Sequence, residues 1–283
     1  MKEYHLHKQA FSKLQFELND GKEYCNNNKE HSTIPHKHSF YQLIWFKQSG
    51  RHYVDYEVIN HEESTIFFIS KNQIHHFCPD AVNEGIMIHF NGFFIDQFDH
   101  DLLERISLSI FNEIEDPFVK LDAYDQKRFV NLATLISEEL TLDDTYLKEQ
   151  VFSLFRSLLF TIERAKRRTL ETDISINNDF QLAYTFKKMA YENISKFLSM
   201  EAYYDLLSTN KRDLAKISRE YLKSTPAKVI QDIKILEAKR SLVNKKLSIQ
   251  EIAYDLGFDQ ATYFTKYFKK VVGITPKEFR LEI

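Results

Sequence analysis

At 283 residues and 33.7 kDa the chain has room for two ordinary domains, and 43% hydrophobic with 28% charged residues describes a globular protein with real cores. Six glycines, five prolines and two cysteines exclude collagen-like, disordered and disulfide-scaffold classes. No apolar run approaches the roughly 18 residues of a membrane span. The polar start Met1-Lys2-Glu3-Tyr4-His5 lacks the apolar stretch of a secretory signal, so a cytoplasmic protein is expected. The net charge of −3 is unevenly spread: residues 179–283 hold 19 Lys+Arg against 13 Asp+Glu, a net of +6, and residues 1–178 carry −9. All 11 histidines fall between His5 and His100. Such a split points to a basic module that meets a polyanion, attached to a module with a different task.

Residues 36–90 read as short strands separated by turns. Phe40–Phe46 is rich in aromatic and branched residues and ends at Gln48-Ser49-Gly50. His52–Ile59 partly alternates, Thr65–Ile69 is continuously apolar, and Ile86–Phe90 closes the set. Short strands at this spacing predict a small barrel or sandwich. After Phe93 the period becomes helical. Phe129, Leu132, Ile136 and Leu140 recur three or four apart, as do Val151, Leu154, Phe155, Leu158 and Ile162, with Asp143-Asp144-Thr145 as a cap before the second run. This pair is either a helical hairpin covering the strands or half of a dimer interface, since an apolar stripe seeks any partner. The polar stretch 166–178 is the expected linker, between a first domain over 1–165 and a helical domain over 179–283.

The segment Ser248-Ile249-Gln250-Glu251 is a capping box that starts a short helix. Ile249, Ile252, Ala253 and Leu256 form its buried face, and Gly257 supplies the left-handed residue that ends it. Asp259 is placed to cap the next helix, which buries Phe264 and Phe268 and leaves Ala261, Thr262, Thr265, Lys266 and Lys269 outside. A short helix, a tight turn and a second helix with a basic outer face is the helix-turn-helix design.

With Gly273-Ile274-Thr275-Pro276-Lys277-Glu278-Phe279-Arg280 following, residues 199–280 resemble the DNA-binding domain of the AraC/XylS family of bacterial transcription regulators. The resemblance implies two helix-turn-helix units joined by a long helix, here Ala227–Asn244. The first unit would comprise Met200–Leu207 and a recognition helix Lys211–Tyr221 capped by Asn210. It departs from the family at Tyr204 in place of a small alanine, Ser218 in place of a buried phenylalanine, and Lys223 in place of a glycine. By the same resemblance, Arg212, Ala215, Lys216, Ala261, Thr262 and Lys266 read bases, Thr265 lies on the same face, and Lys211, Lys269 and Lys270 grip phosphates. Double-stranded DNA, a second copy of the chain, RNA polymerase and a small-molecule effector are the implied partners, with no membrane. The implied protein is an activator.

Pro35-His36-Lys37-His38-Ser39-Phe40-Tyr41-Gln42 resembles the first motif of cupin barrels, and Phe68–His75 the second strand pair. The expected fold is therefore multidomain α+β: an N-terminal cupin-like β-barrel with a helical hairpin, and a C-terminal all-α domain with two helix-turn-helix units. Metal-binding cupins would use His36, His38 and His75, but Gln42 stands where a glutamate should be and an amide is a poor ligand, so no metal or other cofactor is expected. The effector pocket would instead be lined by His38, Tyr41, Trp45, His52, Tyr56 and His75. No nucleophile elbow, active-site cysteine signature or phosphate-cradling glycine loop is present, which argues against catalysis. A metal-dependent cupin enzyme fused to a helical DNA-binding domain is the alternative.

Overall fold

The computed structural model describes residues 3–4, 6, 14–96, 98–111, 116–142, 144–169 and 178–282. They divide into two units, one drawn from residues 2–173 and the other from residues 174–283. The first runs β1 (Glu3–Tyr4), β2 (Phe16–Asp20), α1 (Gly21–Asn27), α2 (Lys29–Ser32), β3 (Lys37–His38), β4 (Tyr41–Phe46), β5 (Gly50–Val54) and β6 (Glu57–His61). It continues with β7 (Thr65–Ile69), β8 (His75–Phe77), β9 (Gly85–Phe90), α3 (Gly92–Asp96), α4 (His100–Ser109), β10 (Phe118–Lys120), α5 (Ala123–Glu139) and α6 (Leu147–Thr169).

β4 is the centre of a five-stranded antiparallel sheet of order β10-β7-β4-β9-β2, in which Ile44 pairs with Phe67 on one side and Met87 on the other. Side chains alternate between the faces of a strand. Leu43 and Trp45 therefore join Ile66, Phe68, Ile88 and Phe90 in a core with the helices, whereas Ile44 and Phe46 join Phe67, Ile69 and Met87 against Val54 and Phe77 of a second sheet. That second sheet has three strands in the order β6-β5-β8. Both faces of β4 are covered, which is why its sequence, like that of β7, is an almost unbroken apolar run.

The expected barrel does not form. Closure requires an unbroken hydrogen-bond ladder around tilted, staggered strands. Here the described strands lie in separate sheets, with β10 and β2 at the edges of the larger and β6 and β8 at the edges of the smaller. β8 and β10 have three residues each and end before they can carry a ladder from one sheet to the next. Beyond the ladders, a single bridge pairs His36 with His75, N–H···O 3.1 and 3.0 Å. The domain is a layered α+β structure: helices, large sheet, small sheet.

The alternating stretch read over His52–Ile59 is two strands. Asp55 and Tyr56 take φ of 48° and 75° and turn β5 into β6 as a two-residue hairpin. The turn contains no glycine; the Asp55 carboxylate holds it by accepting from Gln73 Nε2 at 2.9 Å and from the Ile74 N–H at 3.3 Å.

The two-helix stripe serves the intramolecular core. Phe129, Ile136, Val151, Phe155, Leu158 and Ile162 are fully buried against the large sheet, and Leu132, Leu140 and Leu154 pack at its margin. Asp122 caps α5 by accepting from the Asp125 N–H at 2.8 Å. Of the expected cap before α6, Asp143 lies outside the described residues, and Asp144 accepts from the Tyr146 N–H at 2.8 Å. The buried Glu163 carboxylate on α6 is held between Arg105, at 2.9 Å, and Arg167, at 2.7 Å. A carboxylate this far from water is strongly destabilising without such partners. Of the segment 166–178, residues 166–169 belong to α6, and residues 170–177 lie outside the described residues. No described helix is long and apolar enough to cross a membrane.

The second unit is helical: α7 (Asn178–Glu192), α8 (Met200–Leu206), α9 (Lys211–Tyr221), α10 (Pro226–Leu242), α11 (Ile249–Asp255), α12 (Ala261–Val272) and α13 (Pro276–Glu282). Thr225 caps α10 and Pro226 occupies its first turn, where a missing N–H costs nothing. α10 packs against α7, α9, α11, α12 and α13. Ser248 and Glu251 form the expected capping box at 3.1 and 2.7 Å. Gly257 and Gly273 take φ of +83° and +96°. Asp259 is not the cap of α12; that position is Gln260, and its side chain makes no capping bond.

The departures in the first helix pair have visible consequences. Tyr203 fills the core beside Phe186, and Tyr204 packs at its margin. Lys223 stands at φ 52°, the left-handed conformation that Gly273 adopts at the matching place after α12. Ser218 is wholly buried and its hydroxyl has no hydrogen-bond partner. An unmet buried hydroxyl costs about 1–3 kcal/mol. Ser218→Ala is therefore expected to raise the stability of the second unit by about 1 kcal/mol, read as a higher urea midpoint at unchanged slope; a lower midpoint would show that the hydroxyl is satisfied in solution.

Candidate functional site

α9 and α12 have the same construction. Asn210 caps α9, accepting from the Asp213 N–H at 3.0 Å, and Leu214, Ile217 and Ser218 turn inward. Lys211, Arg212 and Lys216 are then exposed, with Ala215 half-buried between them. In α12 the inward residues are Phe264 and Phe268, which leaves Thr262, Lys266, Lys269 and Lys270 exposed and Ala261 and Thr265 half-buried. The Thr265 hydroxyl donates to the Ala261 carbonyl at 2.8 Å, so only its lone pairs face outward.

Lys211, Arg212, Lys216, Lys266 and Lys270 make no hydrogen bond or ion pair with any described residue, and Lys269 faces Glu278. Unpaired cations on a helix face are free to neutralise phosphates and release their counterions. Sequence reasoning passed over three exposed neighbours. Arg219 continues the face of Arg212 and Lys216 one turn on, a signal present in its spacing. Gln260 was overlooked because Asp259 looked like the cap; its side chain makes no capping bond to the helix backbone, its Oε1 accepts from the Thr262 hydroxyl at 3.3 Å, and it is exposed beside Thr262. Tyr263 projects from the first turn of α12 at 59% exposure.

In the first unit the histidines collect between the two sheets. His36, His38, His52, His75 and His89 are all buried. The rings of His36 and His75 lie 4.4 Å apart, those of His38 and His75 5.1 Å, and those of His52 and His75 5.4 Å. His75 Nδ1 meets His52 Nε2 at 3.3 Å, so one donates and the other accepts. His38 Nδ1 donates to the Phe40 carbonyl at 2.7 Å, leaving Nε2 as a lone pair 3.2 Å from the Gln42 amide. That lone pair is satisfied when the Gln42 amide turns its nitrogen to His38 and its oxygen to His89, which lies 2.8 Å away. His89 in turn reaches Glu17 at 3.7 Å, near the edge of the sheet. His52 Nδ1 and His75 Nε2 are buried without a partner.

This arrangement does not suit a metal. Gln42 is an amide, and no group of three or more His, Cys, Asp or Glu among the described residues could hold an ion. Burial instead disfavours the charged form of six imidazoles. It pushes His38 down to about 3 and His76 to about 4, and lowers His36, His52, His61 and His75 below the usual range, with neighbouring histidines adding to the effect in all but His61.

The six expected effector residues do not form one group. His38, His52 and His75 share the gap between the sheets. Tyr41 and Trp45 lie on the opposite face of β4, Tyr41 stacking on Phe90 and Trp45 donating to Ser64 Oγ at 3.2 Å beside Phe129. Tyr56 is in the β5–β6 turn. An odd and an even position of one strand cannot share a face, and the spacing of Tyr41 and Trp45 from Gln42 shows this. A shallow recess beside Phe46, lined by residues including Gln48, Arg51, His61 and Asn83, contains none of the six.

Because unfolded histidine titrates near 6.5 and buried His38 near 3, the unfolded chain binds more protons between these values. The contribution of the histidine layer is complete above about pH 6.5 and is lost as pH falls toward the folded values, with a slope of about 1.4 kcal/mol per pH unit for each fully buried imidazole. Trp45 is the only tryptophan of the chain and sits in this unit, so its fluorescence reports the unit alone. The urea midpoint followed by Trp45 is expected to drop steadily from pH 7 to pH 5; a midpoint flat across that window would show the layer to be solvated.

Residues 24–173 match the family of AraC-like ligand binding domains, and residues 203–282 match a helix-turn-helix domain family. The virulence regulon transcriptional activator VirF of Shigella flexneri is 28% identical over 240 residues, 80% of this chain and 85% of VirF. The HTH-type transcriptional regulator YfiF of Bacillus subtilis is 23% identical over 261 residues, 88% of this chain and 79% of YfiF. Among solved structures, ToxT from Vibrio cholerae covers 94% of this chain and 98% of its own at 14% identity, with a TM-score of 0.46.

Proposed function

The chain belongs to the AraC-type family, as a sequence-specific DNA-binding regulator with a ligand-binding N-terminal domain, and from that premise we propose an activator that works as a homodimer under the control of a small-molecule effector. Residues 1–165 sense and dimerise, the link falls within 166–178 beyond the end of α6, and 179–283 bind double-stranded DNA. The observation that carries the reading is the pair of exposed, unpaired basic faces on α9 and α12, both packed on α10. Activation is supported by the name of VirF, a transcriptional activator. RNA polymerase is then the second macromolecular partner, and no membrane is involved.

α9 and α12 enter successive major grooves about 34 Å apart along the duplex. Arg212 pairs with guanine, Thr262 reads a base edge by hydrogen bonding, and Ala215 and Ala261 touch thymine methyls. Lys216 and Lys266 contact bases or the backbone beside them, Thr265 accepts, and Lys211, Lys269 and Lys270 hold phosphates. The effector contacts the histidine layer of His38, His52 and His75, with Tyr41, Trp45 and Tyr56 transmitting its presence through β4 and the β5–β6 turn. It acts only to the extent that it binds two arrangements of the protein with different affinity.

Selection of bound duplexes from a random pool tests the reading. The expected product is one motif with two half-elements about one helical turn apart; uniform, steeply salt-dependent binding without a motif would reduce the second unit to a phosphate binder. On the selected DNA, Arg212→Ala is expected to relax preference at one base pair by about 1–3 kcal/mol, and Lys270→Ala to weaken all sequences alike and reduce the salt slope by about 1, both measured by titration at several salt concentrations. The opposite assignment of these two signatures would reverse their roles.

A further inference from the structure

Three segments of the second unit meet at one point. The turn after α7 brings Ser195 against Gly257 in the turn between α11 and α12, so closely that a Cβ on Gly257 would lie 2.0 Å from the Ser195 carbonyl oxygen. Two residues on, Phe197, at φ 48°, meets Phe258 edge to face with ring centroids 5.1 Å apart. Under both rings lies Lys234 of α10, its Nζ 3.1 Å from the centroid of Phe197 and 5.4 Å from that of Phe258. Lys234 is 4% exposed and forms no ion pair among the described residues, and burial lowers its ammonium to about 8. A desolvated ammonium between two aromatic faces is a strong form of the cation–π contact.

Phe258 continues this contact into α12, touching Phe264 and Tyr267 with centroids 5.4 Å away in each case. On the other side, the turn carrying Ser195 and Phe197 leads directly into α8, which Ser199 caps at 3.2 Å. The first helix pair and the second are thus joined twice: along α10, and across this aromatic–ammonium contact. A single helix leaves rotation about its axis and bending open; a second, off-axis contact removes them.

We propose that Ser195–Phe197, Lys234 and Gly257–Phe258 form a clasp that fixes α12 relative to α9, making Phe197 and Lys234 positioning residues that set the spacing of the two half-elements the protein reads. Neither side chain belongs to the basic faces, so the clasp acts through α9 and α12. It rests on the reading in which both helices bind bases.

The test uses the full-length chain and duplexes carrying the two half-elements selected by the wild type, at the selected spacing and with one or two base pairs added or removed. Lys234→Met keeps the volume and removes the charge; Phe197→Ala alters a residue that is 53% exposed and outside the cores. Both variants are expected to lose about tenfold in affinity at the selected spacing and to bind the altered spacings nearly as well, while the affinity for an isolated half-element stays within about twofold. Lys234→Arg, which retains the cation, is expected to restore the preference. Spacing preference unchanged in both variants overturns the clasp, as does an equal loss on every duplex including the isolated half-element. A wild type that selects only one half-element overturns the two-helix reading and the clasp with it.

Discussion

Burial of β4 on both faces is the constraint from which the first unit follows. A strand with pairs on both edges and apolar layers above and below has no surface left for water, so every side chain it bears must be apolar or must find a partner inside. Leu43 and Trp45 meet that demand against α5 and α6; Ile44 and Phe46 meet it against β5 and β8. Gln42, the polar exception, meets it by joining His38 to His89.

The same dryness shapes the chemistry between the sheets. Four of the buried imidazoles, His36, His38, His52 and His75, resist the proton that would charge them, and the layer shares the few acceptors available. Two ring nitrogens stay unmatched, on His52 and His75, in a layer otherwise held by short bonds to carbonyls and to one amide. A polar molecule that supplied those two nitrogens with partners would relieve an existing cost, and so would gain affinity from strain already present in the protein.

Sequence periodicity carried much of the second unit and less of the first, for a physical reason. Helix ends are local events: Ser248 with Glu251, Asn210 ahead of α9, and the left-handed Gly257 and Gly273 each act within four residues, so spacing reveals them. Sheet closure depends on which strands find each other across long separations, and alternation reports only faces, never partners. Thus Thr65–Ile69 was legible as a strand but its place between β10 and β4 was not. The Asp55–Tyr56 turn was hidden because a carboxylate, held by Gln73 and Ile74, takes the place of the usual glycine. Asp259 and Gln260 show the limit of capping rules: the better capping side chain stands one position too early. Tyr41 and Trp45 looked like pocket residues for their rings alone, although their odd register with Leu43 put them with the helices.

α10 passes through both helix pairs, and its buried residues, from Val229 and Ile233 near one end to Ala238 and Leu242 near the other, belong to both cores. A helix cannot melt at one end of such a shared core without withdrawing support from the other. The two helix-turn-helix pairs are therefore a single cooperative folding unit rather than two beads on a rod. Evolution can alter the outward residues of α9 or α12 separately, and so change what each reads. A loss of packing in either pair, in contrast, is felt by both, which couples the heritable fate of the weaker pair to that of the stronger.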